Sequence, residues 1–274
     1  MIHTARSASS FEAAPMDISG RNALITGAAS GLGLGIAQHF ASLGVRVCLA
    51  DRDEANLEQA LATIPANATL GPIAIVNDLS TRSGARATVQ SALDSFGKLD
   101  ILVNNAGGGV IRPTLTHTEE TLRETVDRNL WTMLYTTLEV LPHMIARQYG
   151  RVVSIGAESV RNGLWQHAVY SAAKGAVHGI TPGLAREFAA DNITFNVVAP
   201  AMVITPQLSA AIEQMPEDQR RQYEEFFEQI RGSIPLGRGG TLDEVAAAVA
   251  YLASDNAGFV TGQVLSVNGG SSML

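Results

Sequence analysis

Thr26-Gly-Ala-Ala-Ser-Gly-Leu-Gly33 follows the apolar run Asn22–Thr26 and opens the helical pattern Gly33–Leu43. Gly27, Gly31 and Gly33 permit a tight turn and let backbone amides approach a pyrophosphate at a helix N-terminus, with Ser30 and Leu32 between them. A glycine-rich loop alone is a weak signal. A strand before it, a helix after it and an acid after the second strand, about 20 residues on, turn it into a dinucleotide fingerprint. That acid is Asp51, placed to hydrogen-bond the adenosine ribose hydroxyls. Its carboxylate repels a 2′-phosphate, so NAD is expected over NADP; Arg52 next door is the counter-argument, since a guanidinium can hold that phosphate.

Outward from this loop, short apolar runs alternate with longer helical patterns. The strand candidates are Asn22–Thr26, Val45–Ala50, Pro72–Val76, Ile101–Asn104, Val152–Ile155, Thr194–Ala199 and Val264–Val267. They are rich in Val, Ile and Leu without polar alternation, as strands covered on both faces are. Helical stretches such as Asp53–Ala62, Thr81–Phe96 and Leu242–Ala253 fall between them. The rhythm predicts an α/β single-domain Rossmann fold with a doubly wound, seven-stranded parallel sheet.

Ala199 to Leu242 breaks the rhythm. This insert is acidic in places and carries Leu208, Ile212, Met215, Tyr223, Phe226, Phe227 and Ile230 at roughly helical spacing. It reads as one or two amphipathic surface helices or as a lid over a substrate. The lid, at about 201–240, is the preferred expectation, because ligands bind at strand ends in such sheets.

The 274 residues are 46% hydrophobic and 16% charged, enough for one sizeable core. A net charge of −7 with no basic run argues against nucleic acid or an anionic membrane as partner. Cys48, the single cysteine, lies in an apolar run and reads as buried and inert. No apolar run reaches membrane-spanning length. Residues 1–17 lack a secretory pattern and are expected to be a disordered extension before a catalytic domain over 18–274, in a cytoplasmic setting. The histidines show no metal-ligand grouping.

Beyond the second strand, Asp78 could bond an adenine amino group or simply serve a turn, and Leu79 is read with it as a cofactor contact. Asn104-Asn105-Ala106-Gly107 ends the fourth strand, where Asn side chains can tie strand ends together and Gly lets the chain pass close to a cofactor. Tyr170-Ser-Ala-Ala-Lys174 stacks a phenol and an ammonium one helical turn apart. A Lys that close is expected to lower the Tyr pKa and make it an acid/base.

With these motifs in order, the chain resembles the short-chain dehydrogenases/reductases from about Ile18 to Met273. Pro200-x-x-Val203-x-Thr205 and Asn268-Gly-Gly270 complete the pattern. The resemblance implies that Tyr170 is the general acid/base, that Lys174 tunes it and bonds the nicotinamide ribose, and that Asn129 holds a water linking the Lys to solvent. It places Pro200, Val203 and Thr205 against the nicotinamide. It also implies a catalytic Ser thirteen positions before the Tyr, where this sequence has Ala157. Ser159 is the candidate substitute if the backbone bulges, and Glu158 reads as a solvated rim acid rather than a group acting on a substrate hydroxyl.

The expected substrate walls hold Leu164, Trp165 and Met202, with Arg161 and His167 as polar points. Trp165 is equally a stacking wall or a core residue; Arg161 could pair with a substrate carboxylate. Gly156–Gly163 followed by the Tyr170 motif resembles the bacterial cis-dihydrodiol dehydrogenases of aromatic-acid breakdown, which implies oxidation of a ring cis-diol to a catechol with NAD. The runner-up is a ketoreductase or secondary-alcohol dehydrogenase for bulky hydrophobic ketones, followed by a catalytically impaired NAD-binding sensor or an isomerase of the same fold. Gly175, Gly179 and Gly183 form a stripe in the helix begun at Tyr170, and Pro182 is expected to kink or end its first segment. The stripe fits close helix–helix contact, and family members usually assemble through this helix. A homotetramer is expected; the alternative is close packing on the chain's own sheet.

Overall fold

A computed structural model of the protein describes residues 18–65 and 71–273; the extension expected over 1–17 lies outside them. Seven parallel strands form one sheet: β1 (Asn22–Thr26), β2 (Arg46–Asp51), β3 (Ile73–Val76), β4 (Ile101–Asn104), β5 (Gly150–Ile155), β6 (Ile193–Pro200) and β7 (Val264–Val267). Their order is β3-β2-β1-β4-β5-β6-β7. The chain leaves β1 towards β2 and returns to β4 on the other side. A crevice therefore opens between the carboxyl ends of β1 and β4, where such sheets bind ligands.

The absence of polar alternation has a direct cause. Ala23 and Ile25 of β1 face a layer with α1 (Gly31–Ser42), α2 (Glu54–Ala62) and the late helix Leu242–Ala253. Leu24 between them faces the opposite layer, with α3 (Arg82–Phe96) and the helix Thr132–Arg147. All three are fully buried, so neither face of β1 offers a place for a polar side chain. Cys48 lies within β2, where burial pushes its thiol up to about 12.

Between β4 and β5 run α4 (Glu119–Val126), a π-helical turn (Asp127–Trp131) and α5 (Thr132–Arg147). After β5 come the short α6 (Ser159–Asn162) and the long α7 (Ala168–Glu187). Of the two outcomes expected at Pro182, a kink or an end, α7 does not end there; it continues to Glu187, and the Thr181 hydroxyl donates to the Val177 carbonyl at 2.8 Å. Tertiary packing outweighs one missing amide donor here.

The insert folds as two helices, α8 (Pro206–Glu213) and α9 (Glu217–Gly232). Pro206 at the first turn and the Thr205 hydroxyl accepting from the Leu208 amide start α8. The last helix, α10 (Leu242–Ala253), opens on a Thr241/Glu244 capping box.

Candidate active site

One cleft of about 630 Å³ runs along the carboxyl ends of the strands. Gly27, Ser30, Gly31, Leu32, Asp51, Arg52, Asp78 and Leu79 line it from the β1–β3 side. The loop after β1 has no room for side chains: a Cβ on Gly33 would sit 2.1 Å from the Gly27 carbonyl oxygen, and one on Gly27 would sit 2.7 Å from Ala106 Cα. Gly33 thus supports the loop rather than lining the cleft. Ser30 precedes α1 without a side-chain cap, and no acid occupies the first turn. The helix therefore presents uncompensated amides and the positive end of its dipole. Asp51 accepts from the amides of Ala29 (3.1 Å), Arg52 (2.7 Å) and Asp53 (3.2 Å), which fixes its carboxylate at the end of β2. Asp78 takes the amide and hydroxyl of Ser80 at 2.9 and 2.7 Å, so it serves its turn while lining the cleft. Open helix amides, glycines without space for a Cβ and a fixed carboxylate together fit a dinucleotide.

At the end of β4, the Asn105 amide group donates to the carbonyls of Thr26 and Gly27, both at 3.0 Å, and ties β4 to β1. Asn105, Ala106 and Gly107 line the cleft. A Cβ on Gly107 would meet Asn129 Oδ1 at 2.8 Å and Lys174 Nζ at 3.0 Å, so these two side chains flank the glycine. Asn129 belongs to the π-helical turn. Its Nδ2 donates to the carbonyls of Gly108 (2.5 Å) and Thr125 (2.7 Å), and its Oδ1 accepts from the Gly108 amide (3.3 Å). The turn therefore fixes the chain that passes beneath Lys174.

Tyr170 and Lys174 both line the cleft from α7. Lys174 is buried and donates to the Ile155 carbonyl at 2.8 Å. Burial pushes its ammonium down to about 8. Burial also pushes the Tyr170 phenol up to about 12, against the expectation that Lys174 lowers it. The reason is that both groups sit where desolvation disfavours their charged forms.

Ala157, Glu158 and Ser159 follow β5 and line the cleft together. Ser159 Oγ accepts from Ser171 Oγ at 3.0 Å and is 5% exposed. Glu158 corrects the sequence reading: it is no solvated rim acid but 1% exposed, with Oε1 accepting from the Ser272 hydroxyl. Leu164, His167, Met202, Pro200 and Val203 also line the cleft.

Three expected contacts fall elsewhere. Arg161 does not line the cleft; its Nη1 donates to Ser266 Oγ at 2.6 Å. Trp165 is 74% exposed and is neither a cleft wall nor core. Thr205 lies outside the lining because its hydroxyl caps α8. From the insert, Phe226, Phe227 and Ile230 of α9 line the cleft. Arg128, Ser233, Ile234 and Ser271 also line it, although no sequence motif marks them.

The family model described as enoyl-(acyl carrier protein) reductase matches residues 27–272. The chain is 48% identical over 259 residues to 2,3-dihydroxy-2,3-dihydro-p-cumate dehydrogenase of Pseudomonas putida, covering 94% of this chain and 97% of that protein. It is 36% identical to 1,6-dihydroxycyclohexa-2,4-diene-1-carboxylate dehydrogenase of Acinetobacter baylyi, covering 90% and 94%. The crystal structure of 3-ketoacyl-(acyl-carrier-protein) reductase from Brucella melitensis complexed with NADH superposes with a TM-score of 0.82 at 32% identity, covering 93% of this chain and 99% of that one. The chain belongs to the short-chain dehydrogenase/reductase family. Within it, this is an oxidoreductase that acts on alcohol or ketone groups with a nicotinamide cofactor.

Proposed function

We propose that the protein oxidises a cis-dihydrodiol of an aromatic ring to the corresponding catechol, with NAD as oxidant. The observation that carries the substrate class is the 48% identity, over 94% of the chain, to an enzyme named for such a diol. The cleft supplies matching chemistry: a Tyr/Lys pair beside apolar walls from Leu164, Met202 and Phe226. The fixed carboxylate of Asp51 favours NAD over NADP, since a 2′-phosphate there would meet a negative charge.

Bound NAD supplies the hydride acceptor. Tyr170 takes the proton of the substrate hydroxyl as the carbon is oxidised. Tyr170 must be phenolate to take that proton and becomes phenol as it does so; Lys174 is protonated below about 8, and its ammonium is the charge that stabilises the phenolate. The Ser159 hydroxyl, next in line after Ala157 and Glu158, donates to the substrate oxygen in place of the absent serine. Asn129 holds the Gly107–Gly108 backbone against which Lys174 is placed. The apolar side chains of α9 keep water from the reacting carbon. Rearomatisation of the ring makes the oxidation strongly favourable.

The same Tyr/Lys pair serves a ketoreductase, and the likeness to the 3-ketoacyl reductase favours that second reading. NADH formation from an aromatic cis-dihydrodiol, run beside a panel of hydrophobic secondary alcohols, separates the two. The diol is expected to turn over fastest, NADP to serve poorly, and Tyr170→Phe to lose about 10²- to 10⁴-fold in rate. Turnover of the secondary alcohols alone would move the protein to the second reading.

A further inference from the structure

The chain leaving β5 is held to α7 by Ser171, Lys174 and His178, which stand at i, i+3 and i+7 on one helix face. The Ser171 hydroxyl reaches the Ser159 carbonyl and Ser159 Oγ, each at 3.0 Å. Lys174 donates to the Ile155 carbonyl at 2.8 Å. Between these two contacts, His178 Nε2 accepts from the Ala157 amide at 3.4 Å. That amide has no strand to bond. The amides of Gly156 and Glu158 on either side go to the Val198 and Pro200 carbonyls of β6. On the other edge, the Arg151 amide takes the Asp100 carbonyl beside β4, and the same two-residue step would bring Ala157 to the Ala106 carbonyl. But β4 ends at Asn104, and the Ala106 carbonyl accepts from Thr132 Oγ1 instead, at 3.4 Å. A buried amide needs an acceptor, and the imidazole supplies it. Room for the ring comes from Gly156: a Cβ there would sit 2.2 Å from His178 Nε2. Burial, aided by Arg161 and Lys174 against Glu158, pushes the imidazole down to about 4, so Nε2 keeps its lone pair at neutral pH.

We propose that His178 is a positioning residue for the oxidation: it holds the backbone from Ala157 to Ser159 so that the Ser159 hydroxyl meets the substrate oxygen. His178 is outside the cleft lining, so it acts through the chain it binds. Where a serine is expected thirteen positions before Tyr170, this chain has Ala157, and the donor sits two residues on, past the last bond to β6 at Glu158. A hydroxyl borne on a turn is only as well placed as the turn itself. Tyr170 rides on the same helix as His178, so the clamp fixes the donor and the acid/base relative to each other. This inference rests on the reading of Ser159 as donor to the substrate oxygen, and not on which alcohol is oxidised.

The test is a double-mutant cycle between His178→Leu and Ser159→Ala, with His178→Gln beside it. NADH formation is followed with NAD and an aromatic cis-dihydrodiol, and with a hydrophobic secondary alcohol in parallel. Calorimetry gives NAD affinity, and thermal unfolding reports on folding. Leu removes the acceptor at similar volume; Gln returns one at the end of its side chain. His178→Leu is expected to lower kcat about 10- to 100-fold on each substrate that turns over, with NAD affinity within about twofold of wild type. Gln is expected to recover most of the rate. In the Ser159→Ala background the same Leu substitution should cost less than about threefold, because the group it positions is gone. A His178→Leu rate equal to wild type, no recovery with Gln, NAD affinity falling in step with kcat, or a full-sized Leu loss on top of Ser159→Ala would overturn the proposal. If Ser159→Ala alone leaves kcat unchanged, the Ser159 reading falls and this proposal with it, while the Tyr170/Lys174 reading stands. Should His178→Leu not fold, His178→Asn, whose acceptor stops one bond short, takes its place in the cycle.

Discussion

Lys174 and Tyr170 show what desolvation costs a pair before it can act. Lys174 is 4% exposed, and burial pushes its ammonium from an ordinary 10.5 to about 8. A basic group depressed on folding costs stability in full below its folded value. The cost disappears as pH rises from about 8 towards 10.5, since the unfolded chain still holds the proton there. The amount is of order 3 kcal/mol. Tyr170 works the other way: its phenol, raised to about 12, keeps its proton after the unfolded chain has lost it near 10, so its stability contribution is present below pH 10 and lost as pH rises to 12. Lys174→Met removes the charge and keeps the length. We expect it to melt at or above the wild-type temperature at pH 7, and to gain less stability between pH 8 and 10.5, while NADH formation drops by at least 10²-fold. Thermal unfolding across that pH range checks this. A variant melting well below wild type at pH 7, with an unchanged pH slope, would show that the site compensates the ammonium more fully than its one carbonyl bond implies.

Among the elements, α7 carries an unexplained cost. Gly175, Gly179 and Gly183 each weaken a helix by about 1 kcal/mol relative to Ala. A Cβ on Gly179 or Gly183 would meet nothing within 4 Å, so close packing on the chain's own sheet is not their reason. Trp131, in the π-helical turn that packs on α7, and Leu138 on α5 stay 37% and 39% exposed. We propose that these faces of α7 and α5 meet other copies of the chain in a homotetramer. Light scattering on the purified protein should give the mass of four chains, and Gly179→Glu should reduce it to two chains or one. A wild-type monomer would end this account of the stripe. Element bounds themselves were largely readable: β1, β4, β7 and α10 have the bounds their sequence patterns indicate. Each is a short, mainly apolar run or an amphipathic stretch with its own cap, signals that depend only on near neighbours. The continuation of α7 through Pro182 was not readable, because packing against β6 and the π-helical turn decides it.

At the scale of the whole molecule, the sheet brings together groups that are far apart in the sequence, and this sets what a sequence can disclose. The glycine loop, Asp51, and the Tyr170/Lys174 pair are local motifs, and the structure brings all of them to one cleft. Glu158 escaped because its partner Ser272 lies 114 residues away, and nothing within a few residues of Glu158 signals burial. Trp165 and Arg161 were misread for the same reason. Their type suggested a wall and an anion site, but the α6–α7 loop turns Trp165 to solvent, and α6 holds Arg161 against Ser266 of β7. The lining helix α9 was half legible: its apolar spacing gave a helix, and only the fold shows which of its side chains face the cleft.

The most direct test of diol oxidation is the product balance of wild-type enzyme with NAD and an aromatic cis-dihydrodiol, following NADH by absorbance and the organic product by mass spectrometry. Catechol and NADH should appear at equal rates in a one-to-one ratio. Tight NAD binding with no turnover would contradict it and favour a catalytically impaired sensor, and conversion of the diol without NADH would point to an isomerase on the same fold.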